Sequence, residues 1–173
     1  RLFDVFPDER RGVIGGVALG ALGIVRATID LDFLIHRDDL ERLDRILGQL
    51  GYARHVQMEN VSHYRHTQHQ WGSIDVLHAF RRFSLAMLER TTVHPVFNGT
   101  QQMRVLEPED IIGLKVQALA NDPMRRAQET ADIEALIALH GKRLDWKRIQ
   151  EYYDVFELTE EAHRLKKRVG HAE

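Results

Sequence analysis

The segment Thr28-Ile29-Asp30-Leu31-Asp32-Phe33-Leu34-Ile35 alternates so regularly that it constrains the rest of the chain. A period of two is the signature of a β-strand, whose successive side chains point to opposite faces. Ile29, Leu31, Phe33 and Ile35 share one wholly apolar face, which must be buried against something. Thr28, Asp30, Asp32 and Leu34 share the other. Asp30 and Asp32 then stand on one face at about 6.6–7 Å of rise. Two like charges held that close repel, and a hard divalent cation with oxygen ligands relieves them. Asp75 lies in a second apolar strand, Ser73-Ile74-Asp75-Val76-Leu77, and its arrival alongside would complete a three-carboxylate cluster. Such clusters hold one or two Mg²⁺ ions for in-line phosphoryl or nucleotidyl transfer. The plainer reading is a solvated sheet face with Asp75 at a strand end.

The sequence upstream favours the chemical reading. Residues 11–16 form a short strand entering a Gly15-Gly16 turn, and residues 17–22 a short helix stopped by Gly23. Glycine lets backbone N–H groups approach a phosphate closely, and a helix N-terminus favours anions. Neither GxxxxGK[ST] nor GxGxxG occurs, so P-loop and dinucleotide-binding readings fail.

Other function classes fall on composition. With 173 residues the chain is one domain, or one with a small appended lobe. No apolar run reaches the ~18 residues of a membrane span. The absence of Cys excludes disulfide frameworks and thiol catalysis, and favours a reducing cytoplasm. A net charge of -2 provides no global field to recruit nucleic acid.

Along the chain, residues 38–50 predict an amphipathic helix with Asp38 as N-cap and Gly51 after its end. Residues 52–80 read as strands, 81–91 as a helix, and 92–107 as a loop with one strand at Met103–Leu106. From Pro108 the pattern is helical throughout: 109–120, 125–140, 146–156 capped by Asp145, and a last helix from Thr159. The plan is an α/β core over 1–107 and a helical region over 108–173.

Gly15-Gly16, a short helix, Arg26-Ala27-Thr28-Ile29-Asp30-Leu31-Asp32, then Asp75, occur in the order found in the nucleotidyltransferase superfold. This run resembles the AbiEii-type family in particular, which includes toxins of toxin–antitoxin pairs. The resemblance implies an α+β nucleotidyltransferase fold: a small mixed sheet flanked by helices, followed by a C-terminal helical bundle. It implies that Asp30, Asp32 and Asp75 bind Mg²⁺ or Mn²⁺, with Asp75 helping to deprotonate the attacking hydroxyl. Gly15 and Gly16 would hold the triphosphate. Thr28 and Arg26 would bond a phosphate or the carboxylates. Lys115, set in the apolar stripe of helix 109–120, would meet the nucleotide phosphates. Glu129 stands where the family often has Asp, and Asp132 would either orient Lys115 or Arg126 or touch substrate.

The implied activity is that of a nucleotidyltransferase enzyme of the EC 2.7.7 type. It would move a nucleoside monophosphate from an NTP to a hydroxyl of RNA, a protein or a small molecule, with an antitoxin as the partner of a toxin-like member. The competing expectation is an inactive nucleotide-binding or protein-interaction module on the same fold. His63, His66 and His69 invite a zinc reading, but His66 faces away from the other two in a strand. The run Arg164, Lys166, Lys167, Arg168 reads as a solvated helix face.

Overall fold

The computed structural model describes residues 10–68 and 72–170. His69 and Trp71 lie outside the described residues. The acidic alternating segment becomes β2 (Leu31–His36), the middle strand of a seven-stranded sheet. Its partners are β1 (Arg11–Ile14), antiparallel, and β5 (Ile74–Ala79), parallel. Beyond β5 come β4 (Val61–His66) and β3 (Tyr52–Gln57); beyond β1 come β7 (Gln101–Val105) and β6 (Thr92–Val96). The order is β3-β4-β5-β2-β1-β7-β6, a mixed sheet.

One sheet face carries Phe33, Ile35, Ile74, Val76, Ser62 and Tyr64, all buried. Helix α2 (Leu40–Gln49) covers this face, burying Leu43 and Leu47, and the Tyr64 hydroxyl donates to Asp44 at 2.6 Å. The Tyr64 hydroxyl is pushed far above its ordinary pKa, first by burial and then by the Asp44 carboxylate. Helices α1 (Gly15–Ala21) and α3 (Arg82–Glu89) complete this α/β unit.

The chain divides into two compact units. The first holds residues up to Ala21 together with Val25–Leu106; the second holds Leu22–Ile24 and the chain from Glu107 onward. In the second, Pro108 opens α4 (Pro108–Asn121), where its missing N–H costs nothing. It is followed by α5 (Arg126–His140), α6 (Trp146–Val155) and α7 (Thr159–Gly170). The Asp145 side chain caps α6 by accepting from Lys147 N and Arg148 N at 3.0 and 3.2 Å. Gly113 lets α4 and α6 approach closely, since a Cβ there would meet the Tyr152 ring at 2.7 Å. The Tyr152 hydroxyl donates to the fully buried Asp110 at 2.6 Å. No helix among the described residues is long and apolar enough to cross a membrane.

Three expectations need correction. The strand begins at Leu31, not Thr28, because its neighbours end there: β5 starts opposite Leu31 and β1 stops opposite Asp32. Thr28, Ile29 and Asp30 therefore have no ladder, and Ile29 is 85% exposed. Asp38 is no N-cap; it lies in a 3₁₀ turn over Arg37–Asp39, where the His36 ring accepts from Asp38 N at 3.3 Å. The loop expected after residue 92 contains β6, an edge strand that tolerates Pro95 because it lacks an outer neighbour.

Candidate active site

The β2–β5 register pairs Asp32 with Asp75 directly. Cross-strand partners project to the same face, so the two carboxylates stand side by side, on strands about 4.8 Å apart. Asp75 is also the cross-strand partner of His63 on β4, and His63 Nδ1 lies 2.7 Å from Asp75 Oδ1. His63, Asp75 and Asp32 thus form one polar row across three adjacent strands. His78, three residues after Asp75, lies on the opposite, buried face, as the period of two requires.

Asp30 is placed differently. It sits just before β2, and its Oδ1 accepts from Ser73 N at 3.1 Å and Ser73 Oγ at 2.9 Å. Leu31 N in turn donates to Ser73 O at 3.0 Å, so Asp30 fastens the entry of β5 to the entry of β2. Among the described residues, no three His, Asp or Glu side chains are gathered as one metal site. The structure brings two of the expected carboxylates together and leaves the third with Ser73.

At the end of β1 the backbone turns through Gly15, which has φ of +63°. A Cβ on Gly15 would fall 1.9 Å from Asp32 Oδ2, so this turn runs directly against the acidic row. Position 15 therefore demands glycine twice, for its left-handed backbone and for its proximity to a carboxylate. Gly16 follows it in α1, and a Cβ there would meet the Thr28 side chain at 2.7 Å. Thr28 lies next to the diglycine turn, with its hydroxyl donating to Asp30 O at 3.2 Å. Arg26 is exposed in the irregular segment 24–29.

Lys115 belongs to the second unit, where it is 8% exposed. Its Nζ donates to Glu129 Oε2 at 2.9 Å and to Asp132 Oδ2 at 2.5 Å. Glu129 also accepts from Arg125, and Asp132 from Gln128 at 3.1 Å. Burial of a lone ammonium or carboxylate is prohibitive, so these residues are buried as a set. Asp132, expected to orient Lys115 or Arg126 or to touch substrate, bonds Lys115 here. The expected phosphate contact of Lys115 meets an ammonium already neutralised by two carboxylates.

The second unit also has a cavity of about 380 Å³ beside α5, α6 and α7, lined by Arg126, Tyr153, Arg164 and Arg168 among others. Arg126 pairs with Glu161 at 2.5 Å and Arg168, the last residue of the basic run, with Glu134 at 2.6 Å. Tyr153 is pushed up to about 12, chiefly by burial.

Sequence reasoning missed two partners in the first unit, His63 and Ser73. Each depends on the register of a neighbouring strand, and no local pattern in residues 52–73 carries that register.

The family comparison decides the wider placement. A family model described as uncharacterised nucleotidyltransferase matches residues 24–165. The chain belongs to that family. It shares its fold with solved structures at low identity. The solution structure of the antibiotic-resistance factor ANT(2'')-Ia matches at TM-score 0.61 and 16% identity, over 94% of this chain and 88% of that one. The crystal structure of ANT(2'')-Ia with adenylyl-2''-tobramycin matches at 0.59 and 12%, over 86% and 87%. An antigenic nucleotidyltransferase-like protein from Paracoccidioides brasiliensis matches at 0.51 and 16%, over 91% and 84%. The α+β nucleotidyltransferase fold with its C-terminal helical region stands on these matches. No curated protein matches the chain.

Proposed function

We propose that this protein transfers a nucleoside monophosphate from an NTP to a hydroxyl acceptor. The observation that carries the reading is the direct pairing of Asp32 with Asp75 beside the Gly15 turn. Two adjacent carboxylates on one sheet face are costly unless a cation shares them. Their all-oxygen donors suit Mg²⁺ or Mn²⁺. A divalent cation, when bound there, would neutralise charge on the triphosphate and lower the acceptor's pKa. Asp30 completes the acidic set of the motif, and its bond to Ser73 is what cation binding would compete with.

The chain's own residues have distinct tasks. Gly15 and Gly16 present backbone without side chains to the triphosphate. Thr28, packed against Gly16, and Arg26, two residues before Thr28, would bond the triphosphate oxygens. Asp75 accepts the proton of the acceptor hydroxyl as its oxygen forms a bond to the α-phosphorus. The bond from that phosphorus to the β-phosphate oxygen breaks, and pyrophosphate leaves. The protein's contribution is mainly positioning and electrostatic.

One structural relative is in complex with an adenylylated tobramycin, which makes a hydroxyl-bearing small molecule the first acceptor class to try. RNA ends and protein hydroxyls are the others. The finer AbiEii-type resemblance, and the toxin role and antitoxin that go with it, rests on sequence motifs: the Gly15–Phe33 run first, then Asp75 and the looser pattern from Val105 to Leu136. The test is transfer of label from an α-labelled NTP to each acceptor class with Mg²⁺. Loss of transfer in Asp32→Asn supports the enzyme; a nucleotide-dependent rise in melting temperature with no transfer to any acceptor supports an inert binding module.

A further inference from the structure

We propose that His63 is a positioning residue for Asp75, fixing the carboxylate that takes part in cation binding and proton acceptance. The proposal rests on the transferase reading above. The β4–β5 register makes His63 and Asp75 direct cross-strand partners, whose Cβ atoms are about 5 Å apart on such a ladder. At 2.7 Å between Nδ1 and Oδ1, an ionised Asp75 can only accept, so the ring donates its Nδ1–H. That bond exists whether the ring is neutral or charged. It commits one oxygen of Asp75 to the ring and sets the plane in which the other is presented.

Both side chains are 38% exposed. An exposed pair of this kind contributes little to stability, typically under about 1 kcal/mol. A purely structural role therefore predicts almost no consequence of losing it. A positioning role predicts a consequence at the cation, because groups that orient carboxylate ligands typically change metal affinity by about 10–100-fold when removed. His78, on the same strand as Asp75, faces the opposite side and bonds Ser62 and Glu59 O, so it cannot substitute.

The experiment titrates the whole protein with Mn²⁺ alone, reading free Mn²⁺ by electron paramagnetic resonance, in wild type, His63→Leu and His63→Asn. Asn retains an N–H near the position of Nδ1. Asp32→Asn sets the background, and His63→Ala replaces His63→Leu if the latter melts more than a few degrees below wild type. The expected result is a Mn²⁺ Kd about tenfold weaker in His63→Leu and within about threefold of wild type in His63→Asn. With an active acceptor, kcat falls in His63→Leu while the KM for NTP holds. Wild-type Mn²⁺ affinity in His63→Leu, or equal losses in Leu and Asn, overturns the role of His63 and leaves the transferase reading standing. Mn²⁺ binding that Asp32→Asn does not weaken, or none in wild type, removes the cation site and both readings with it.

Discussion

Asp32 stands between two parts of the site, with Asp75 on one side and the Gly15 turn on the other. Replacing it with Asn removes a charge that repels Asp75 without removing volume. We expect Asp32→Asn to lose nucleotidyl transfer while its melting temperature in metal-free buffer stays level or rises, as thermal unfolding will report. A clear fall would make Asp32 structural. Gly15→Ala should fail for a different reason. Its φ of +63° costs a Cβ-bearing residue about 1–2 kcal/mol, and the new methyl would displace the Asp32 carboxylate. Urea unfolding should show at least that loss, together with reduced Mn²⁺ binding.

His78 carries a pH signature of its own. Its ring is held between Glu59 O, which accepts from Nδ1, and the Ser62 hydroxyl, which donates to Nε2, each at 3.0 Å. Burial pushes its pKa below the ordinary 6.5. As pH falls below 6.5, the unfolded chain binds the proton first and stability drops toward the folded-state pKa; above 6.5 the contribution is complete. Stability measured at pH 7.5 and 5.5 should fall less steeply in His78→Gln than in wild type. Parallel slopes would mean that His78 is not responsible.

Among the elements, α4 and α5 show how a helix pairing can be fastened by charge. The helical spacing of Ile111, Ile112 and Leu119 made the apolar stripe of α4 legible, and it placed Lys115 within that stripe. What the stripe could not show was the carboxylate pair that α5 brings to it, because that depends on how two helices are set against each other. Breaking a buried ion pair from one side typically costs about 3–5 kcal/mol. Lys115→Met should therefore destabilise the protein by about 3 kcal/mol, and adding Glu129→Gln with Asp132→Asn should restore much of it. Chemical denaturation of the single and triple variants checks this. A stable Lys115→Met with weakened NTP binding would instead return Lys115 to the phosphates. Strand ends posed a similar difficulty. The turn after β6, where Phe97, Asn98 and Gly99 all have positive φ, had a readable signal in Asn98-Gly99, yet β6 itself contains Pro95 and lacks alternation. Likewise, alternation carried the reading of β2 three residues too far, since a pattern reports how side chains would face and not where the neighbouring strands stop.

At the scale of the molecule, local signals sufficed for the class of fold: one strongly two-sided strand, a diglycine turn, and helices marked by Pro108, Asp145 and Thr159. The sheet order and the polar row were not legible, because both arise from registers between segments far apart in the chain. Asp75 illustrates the boundary. Its strand was readable from Ile74 and Val76, but its place opposite Asp32 and His63 required the assembled sheet. The central claim is that this row and the turn beside it perform nucleotidyl transfer. The most direct measurement follows label from α-labelled NTP, with Mg²⁺, into small-molecule, RNA and protein acceptors, comparing wild type with Asp32→Asn. The account predicts labelled acceptor and released pyrophosphate for wild type and background for the variant; equal labelling by both, or no labelled acceptor of any class with wild type, would contradict it.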